Sequence, residues 1–198
     1  EADELRRAMG KKKAELMAEH FRAQIEKLID GNAKAMIVTK SRLHAVRYYQ
    51  ALRDYLAKRG YPIKAMVAFS GEINGETETS LNGFPETQTA DTFDEQDEYK
   101  FLVVANKYQT GFDQPKLEAM YVDKVLTGVA AVQTLSRVNR PMPGKRTFVL
   151  DFVNDADQIQ ASFRTYYKEA AIDRTTDPNV PYDIKDRLDG MRVYTDEE

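Results

Sequence analysis

Short runs of unbroken apolar residues alternate along this chain with longer stretches in which apolar positions recur every three or four residues. The unbroken runs are Ala-Met-Ile-Val-Thr at 35–39, Ala-Met-Val-Ala-Phe at 65–69, Phe-Leu-Val-Val-Ala at 101–105, Ala-Met-Tyr-Val-Asp at 119–123 and Thr-Phe-Val-Leu-Asp at 147–151. A strand with one wet face alternates apolar with polar residues. Continuous apolarity instead marks strands covered on both faces, as in a parallel sheet with crossover helices. The predicted fold class is therefore α/β, an open, mainly parallel sheet with flanking helices. Between the runs, the spacing predicts a helix over 42–59 that turns Val46, Tyr49, Leu52 and Leu56 inward and ends at Gly60-Tyr-Pro62. Further helices are predicted over 130–140, closed by Pro141-Met-Pro143-Gly144, and over 156–171. A long leading helix over 3–29 carries Leu5, Met9, Leu16, Ile25 and Leu28 on an interrupted apolar face and ends at Asp30-Gly31-Asn32.

Two regions lack this order. Residues 71–98 are rich in Gly, Asn, Thr and acidic residues and read as an exposed insertion with one short helix. From Asp173 onward the chain is polar, and Thr176-Asp-Pro178-Asn-Val-Pro181-Tyr reads as a linker. The 198 residues, 42% hydrophobic and 31% charged, suffice to bury one core of ordinary size. No apolar run is long enough to cross a bilayer. The first residues, Glu-Ala-Asp-Glu-Leu-Arg-Arg, have neither a signal-peptide pattern nor an initiating Met, so the expectation is a piece of a longer cytoplasmic polypeptide. With no cysteine, a disulfide scaffold and a thiolate metal site are excluded, and two isolated histidines, His20 and His44, make no metal centre. A net charge of -3 argues against a domain that coats nucleic acid by bulk charge, so any such contact must be local.

The candidate chemistry concentrates at a few places. In Gln133-Thr-Leu-Ser-Arg137-Val-Asn-Arg140, helical spacing puts Gln133, Arg137 and Arg140 at i, i+4 and i+7, on one face. Guanidinium groups are always charged and present a rigid fork of donors that suits phosphate oxygens. The ordinary alternative is two arginines on a solvated helix face. In an open parallel sheet, ligands gather beyond the carboxyl ends of the strands. Thr110-Gly111-Phe112-Asp113 follows the strand at 101–105 there. Gly111 permits close backbone approach or positive φ, Thr110 supplies a hydroxyl, and Asp113 suits a ribose hydroxyl or the orientation of an arginine. Thr39-Lys40-Ser41-Arg42 leaves the first strand with Ser41 as N-cap of the next helix, where amides, hydroxyls and Lys40 suit a phosphate, or merely cap the helix. Ser70-Gly71 after the second strand is a weaker candidate of the same kind.

Taken in order, these segments resemble the second RecA-like motor domain of superfamily 2 helicases. The closer resemblance is to the R subunit of Type I restriction enzymes, which carries a Thr-Gly-Phe-Asp-x-Pro segment, a following Tyr-x-Asp-Lys strand and a Gln-x-x-Ser-Arg-x-Asn-Arg helix. It covers about residues 33–155. The domain layout it implies is a leading helix or linker from a preceding motor domain at 1–32, the RecA-like domain at 33–172, and a linker to a following helical region at 173–198.

The resemblance implies a half-site for ATP. Gln133, Arg137 and Arg140 match the motif whose arginines reach the γ-phosphate of ATP held by the other motor domain, and Gly111 and Asp113 match the motif linking the nucleotide to the DNA track. Thr39, Lys40, Ser41, Arg42, Ser70, Gly71 and Thr110 are then expected at the DNA backbone. Asn106-Lys-Tyr-Gln109 departs from the family, where many relatives have an acidic residue followed by apolar ones. This sequence has no Gly-x-x-x-x-Gly-Lys-Ser/Thr phosphate loop, no Asp-Glu-x-His segment and no Asp…Glu-x-Lys nuclease constellation. ATP is accordingly expected to be shared with the absent first motor domain, and Mg2+ to be held mainly by it. The other expected partners are double-stranded DNA, methyltransferase and specificity subunits, and nuclease and N-terminal motor domains on the same polypeptide. Two further readings are a different superfamily 2 helicase or remodeller and a non-catalytic scaffold domain that retains the fold.

Overall fold

Each of the apolar runs forms a strand. The computed structural model describes residues 2–109 and 111–172; Thr110 and the expected linker at 173–198 lie outside the described residues. The strands are β1 (Lys34–Thr39), β2 (Lys64–Ala68), a two-stranded antiparallel hairpin of β3 (Glu72–Ile73) and β4 (Glu76–Thr77), then β5 (Tyr99–Val104), β6 (Leu117–Asp123) and β7 (Phe148–Asp151). The main sheet runs in the order β2-β5-β1-β6-β7, and every neighbouring pair is parallel. β1 is central, with Ala35, Met36, Ile37 and Val38 opposite Phe101, Leu102, Val103 and Val104 on one side and Ala119, Met120, Tyr121 and Val122 on the other.

Because successive side chains point to opposite faces, the same strands feed two cores. Ala35, Ile37, Val67, Phe101, Val103, Ala119 and Tyr121 join α1 (Ala2–His20) and α2 (Arg42–Arg59) on one side. Met36, Val38, Met66, Leu102, Val104, Met120 and Val122 meet the helices of the other side. These are α4 (Thr89–Glu95), α5 (Gly128–Leu135) and α6 (Ala156–Ile172), while the short α3 (Glu78–Asn82) packs beside β2. Burying each large apolar side chain contributes about 1.5–3 kcal/mol, so covering both faces is the main source of stability.

α2 begins and ends at the predicted residues. Ser41 caps it by accepting the His44 N–H at 3.3 Å, Gly60 closes it in the left-handed region (φ 65°), and Val46, Tyr49, Leu52 and Leu56 are buried.

Three expectations are corrected. α1 ends at His20 and passes through a π turn at Phe21–Ile25 instead of continuing to 29, and Ile29 and Asp30 both take φ near 53°. Its buried face is Ala14, Met17, Ala18, Phe21 and Ile25, whereas Met9 and Leu16 are half exposed. The small alanines let α1 lie close against α2, a criterion that ranking by hydrophobicity misses; the side chain of Leu5 lies outside the described residues. Residues 71–98, expected as an exposed insertion with one short helix, are mostly exposed but hold β3, β4, α3 and α4, with Glu78, Thr89 and Phe93 buried. Last, the predicted helix over 130–140 ends at Leu135. Arg137 N–H reaches Thr134 O and Val138 N–H reaches Leu135 O at 3.2 Å, three-residue bonds that tighten the end of the helix into turns. Arg140 is therefore off the helix, and the shared helical face of Gln133, Arg137 and Arg140 does not exist.

Candidate functional site

The connection from β5 to β6 organises the site. Both strands run the same way, so residues 105–116 must descend along one face of the sheet from its carboxyl edge to its amino edge. At the upper end the Lys124 ammonium donates to Asn106 Oδ1 (2.9 Å) and Gln109 Oε1 (3.0 Å), and Gln109 bonds back to the Ala105 carbonyl. The departure at Asn106 and Gln109 thus has a local reason, since two amides satisfy a lysine whose pKa is lowered by burial. Midway, Tyr108 and Gly111 take φ of 65° and 70°, and the Phe112 ring plugs the core beside Tyr108 and Phe93, at centroid distances of 4.8 and 6.4 Å. At the lower end Gln114 is buried and donates to Asp94 Oδ1 (3.1 Å), while the Lys34 N–H meets the Lys116 carbonyl.

Both arginines meet the lower half of this connection. Arg137 Nη1 donates to the Phe112 carbonyl at 3.1 Å and its Nε to the Gln133 carbonyl at 3.3 Å. Arg140 Nε lies 3.0 Å from Asp113 Oδ1, an ion pair without hydrogen-bond alignment, in which the arginine side chain is 41% exposed and the carboxylate 71%. The structure therefore brings together Gly111, Asp113, Arg137 and Arg140, with Gln133 exposed on the last turn of α5. Behind them the Lys145 ammonium donates to the Arg140 carbonyl at 2.8 Å, and the Arg146 N–H donates to Glu118 Oε1. Burial pushes the Glu118 carboxyl up, and burial also lowers Lys145 to about 8, with Arg140 adding to the fall and Glu118 opposing it.

The other candidates form a separate group on the carboxyl edge. Arg42 Nη1 donates to the carbonyls of Ser70 (3.2 Å) and Glu72 (3.4 Å), so the first and second strand exits are tied together. Gly71 sits under it with φ 78°, and a β-carbon there would come within 3.1 Å of Arg42 Nη1. Lys40 is exposed, but Thr39 is buried and its hydroxyl donates to Val104 O at 3.0 Å, which ties β1 to β5. Glu78 supports the same edge from below. Its carboxylate accepts the Phe69 N–H (2.9 Å), the Lys107 ammonium (3.0 Å) and the Thr89 hydroxyl, linking the β2 exit to the start of the 105–116 connection.

Sequence reasoning missed the groove that continues this edge. Between α1 and α2 lies a depression of about 560 Å³ whose lining includes Arg7, Lys11, Lys13, Lys40, His44 and Arg47, with Asp54, Glu76 and Asp123 among the acids. Asp123 accepts from Lys13 Nζ (2.7 Å) and the Tyr48 hydroxyl (2.6 Å). Burial raises its pKa, but those bonds outweigh it and hold the carboxyl below its usual range. These cations are scattered between α1 and the β1–α2 junction, and only the folded contact of the two helices assembles them. Among the described residues no group of three or more His, Cys, Asp or Glu could hold a metal ion, and no helix is long and apolar enough to cross a membrane.

Residues 84–152 match the family of Type I restriction enzyme subunit R domain 3. A Methanocaldococcus jannaschii protein named as the type I restriction enzyme MjaIXP endonuclease subunit is 30% identical over 89% of this chain and 17% of its own length. The type I restriction enzyme HindI endonuclease subunit of Haemophilus influenzae is 26% identical over 88% of this chain and 18% of its own. The chain thus spans less than a fifth of the curated relatives it matches. A fragment of an HsdR subunit of a type I restriction enzyme from Vibrio vulnificus has the same fold, with TM-score 0.60, 16% identity, and coverage of 77% of this chain and 28% of that one. The descending β5–β6 connection and the arginines that meet it lie within the matched residues 84–152, and over most of its length the chain is similar to the R subunits of Type I restriction enzymes.

Proposed function

We propose that this domain is the arginine-supplying half of an ATP-dependent motor that draws duplex DNA past a Type I restriction-modification complex before cleavage. The observation that carries the reading is the convergence of Arg137 and Arg140 on Phe112 and Asp113, in the lower half of a connection whose upper end reaches the carboxyl edge. ATP would be held chiefly by the first motor domain and covered by this one. The residues here fit one side of that ligand: two partly exposed guanidiniums suit phosphate oxygens, and the Asp113 carboxylate lies beside the Nε end of Arg140. An arginine finger contributes about 10³ to 10⁵ in rate by stabilising charge on the transferring phosphoryl group. The ligands of Mg2+ would come mainly from the first motor domain, and the segment is expected to be inactive alone.

Duplex DNA would cross the carboxyl edge at Lys40, Ser41, Arg42, Ser70 and Gly71, and extend into the α1–α2 groove. Contacts to phosphate position a motor without reading sequence, as a translocase requires. Recognition of a specific site would fall to a specificity subunit assembled with the methyltransferase subunit. The connection at 105–116 would transmit closure of the nucleotide cleft to the DNA edge.

The test is DNA-stimulated ATP hydrolysis by the full-length protein assembled with its partner subunits, comparing wild type with Arg140→Ala. Loss of hydrolysis of at least about 10³-fold, with ATP binding retained, is expected. Unchanged hydrolysis would mean that the segment after α5 is structural only.

A further inference from the structure

We propose that Lys145 and Glu118 are positioning residues for Arg140, closing residues 140–146 into a stiff loop that fixes where this arginine starts. The proposal rests on the role given to Arg140 above. Between Arg140 and Lys145 the chain reads Pro141-Met-Pro143-Gly144, and the two proline rings each fix one φ. Three bonds restrain the rest of the loop. Lys145 N–H reaches the Met142 carbonyl at 3.3 Å, Lys145 Nζ reaches the Arg140 carbonyl at 2.8 Å, and Arg146 N–H reaches Glu118 Oε1. Arg140 is thereby held by its backbone from one side and by Asp113 on its side chain from the other.

The charges involved are costly where they stand. Glu118 is fully buried at the start of β6, and its Oε2 is buried without a hydrogen-bond partner. Taking a carboxylate out of water costs several kcal/mol unless it is fully paired, and a neutral side chain would close a turn as well. The Lys145 ammonium sits at the Arg140 carbonyl, where the charges of Glu118, Arg140 and Asp113 all act on it. Lys145 and Glu118 thus hold the backbone on either side of the Pro141–Gly144 turn, which places Arg140 opposite Asp113. Misplacing a catalytic group by about 1 Å costs on the order of 10²-fold in rate, so small displacements of this loop would be visible.

The experiment is a double-mutant cycle on kcat for DNA-stimulated ATP hydrolysis in the full-length assembled protein, using Lys145→Met, Arg140→Ala and the pair. Lys145→Met is expected to lower kcat by about 10- to 100-fold while KM for ATP stays within about twofold, and to add little to Arg140→Ala, because residues that act as a unit are strongly non-additive. Lys145→Arg, which keeps a charged donor, is expected to restore part of the rate. Full additivity with Arg140→Ala, or a wild-type kcat for Lys145→Met, would overturn the positioning role and leave the motor reading intact. A wild-type rate for Arg140→Ala would overturn both. If Lys145→Met does not fold, Glu118→Gln replaces it in the cycle, since it removes the charge but keeps an acceptor for Arg146; the same outcomes decide.

Discussion

Lys34 shows how one side chain can be committed to structure despite its charge. It is fully buried at the start of β1, where its ammonium donates to the carbonyls of Gln96 (3.0 Å) and Tyr99 (2.9 Å) and lies 4.9 Å from the centre of the Phe93 ring. Burial is the main reason its pKa falls from 10.5 to about 8, with repulsion from Lys100 and Lys116 adding to it. The folded state therefore binds this proton less tightly than the unfolded state. Between about pH 8 and 10 the unfolded chain keeps the proton while the folded one releases it, so stability from this group rises with pH, by up to about 1.4 kcal/mol per unit. Lys34→Met is expected to remove that slope and to cost about 1–3 kcal/mol at neutral pH by leaving two carbonyls unpaired. Urea unfolding between pH 7 and 10 checks both; an unchanged slope in the variant would assign the effect to other groups.

At the scale of elements, the surprise is the stretch between β2 and β5, where a polar composition conceals a working support. Glu78 on α3 holds Phe69, Thr89 and Lys107 at once, so the β2 exit, α4 and the descending connection share one buried carboxylate. Glu78→Ala is expected to destabilise the chain by about 1–3 kcal/mol for each buried donor left unpaired, the Phe69 N–H and the Thr89 hydroxyl, while Lys107 keeps Glu86, and Glu78→Gln by less. Equal stability of both variants and wild type in chemical unfolding would remove this carboxylate from the account. The strands and α2 were legible in the sequence because continuous apolar runs and a serine-to-glycine capping pair are local signals. The 71–98 region was not, since its order comes from Glu78 and Phe93 reaching partners far along the chain. The end of α5 misled for a different reason: Arg137 and Arg140 are brought near Phe112 and Asp113 by a tightened helix end and a turn, not by helical periodicity. The residues of the candidate site were thus readable as types and order, while their geometry was not.

For the whole molecule, charge is distributed against its average. The chain is net acidic, yet the groove between α1 and α2 gathers lysines and arginines beside the carboxyl edge. If duplex DNA follows this groove, each phosphate contact contributes about one unit to the salt dependence of binding. Lys11→Gln and Lys40→Gln in the full-length protein are each expected to reduce the slope of log K against log salt by about one, with little change in preference among sequences. Binding of non-specific duplex measured across a salt series decides this, and unchanged slopes would take the DNA path elsewhere.

The β5–β6 connection also limits which lengths of chain this fold can accept. Its upper end is fastened through Lys124 and its lower end through Gln114 and Asp94, so it resembles a belt buckled at both ends. A belt under that constraint has little slack. One residue inserted between the buried Phe112 and the buried Gln114 is expected to bulge outward at Asp113 and carry the carboxylate away from Arg140. Length, as much as residue identity, then sets where the Asp113 carboxylate meets Arg140.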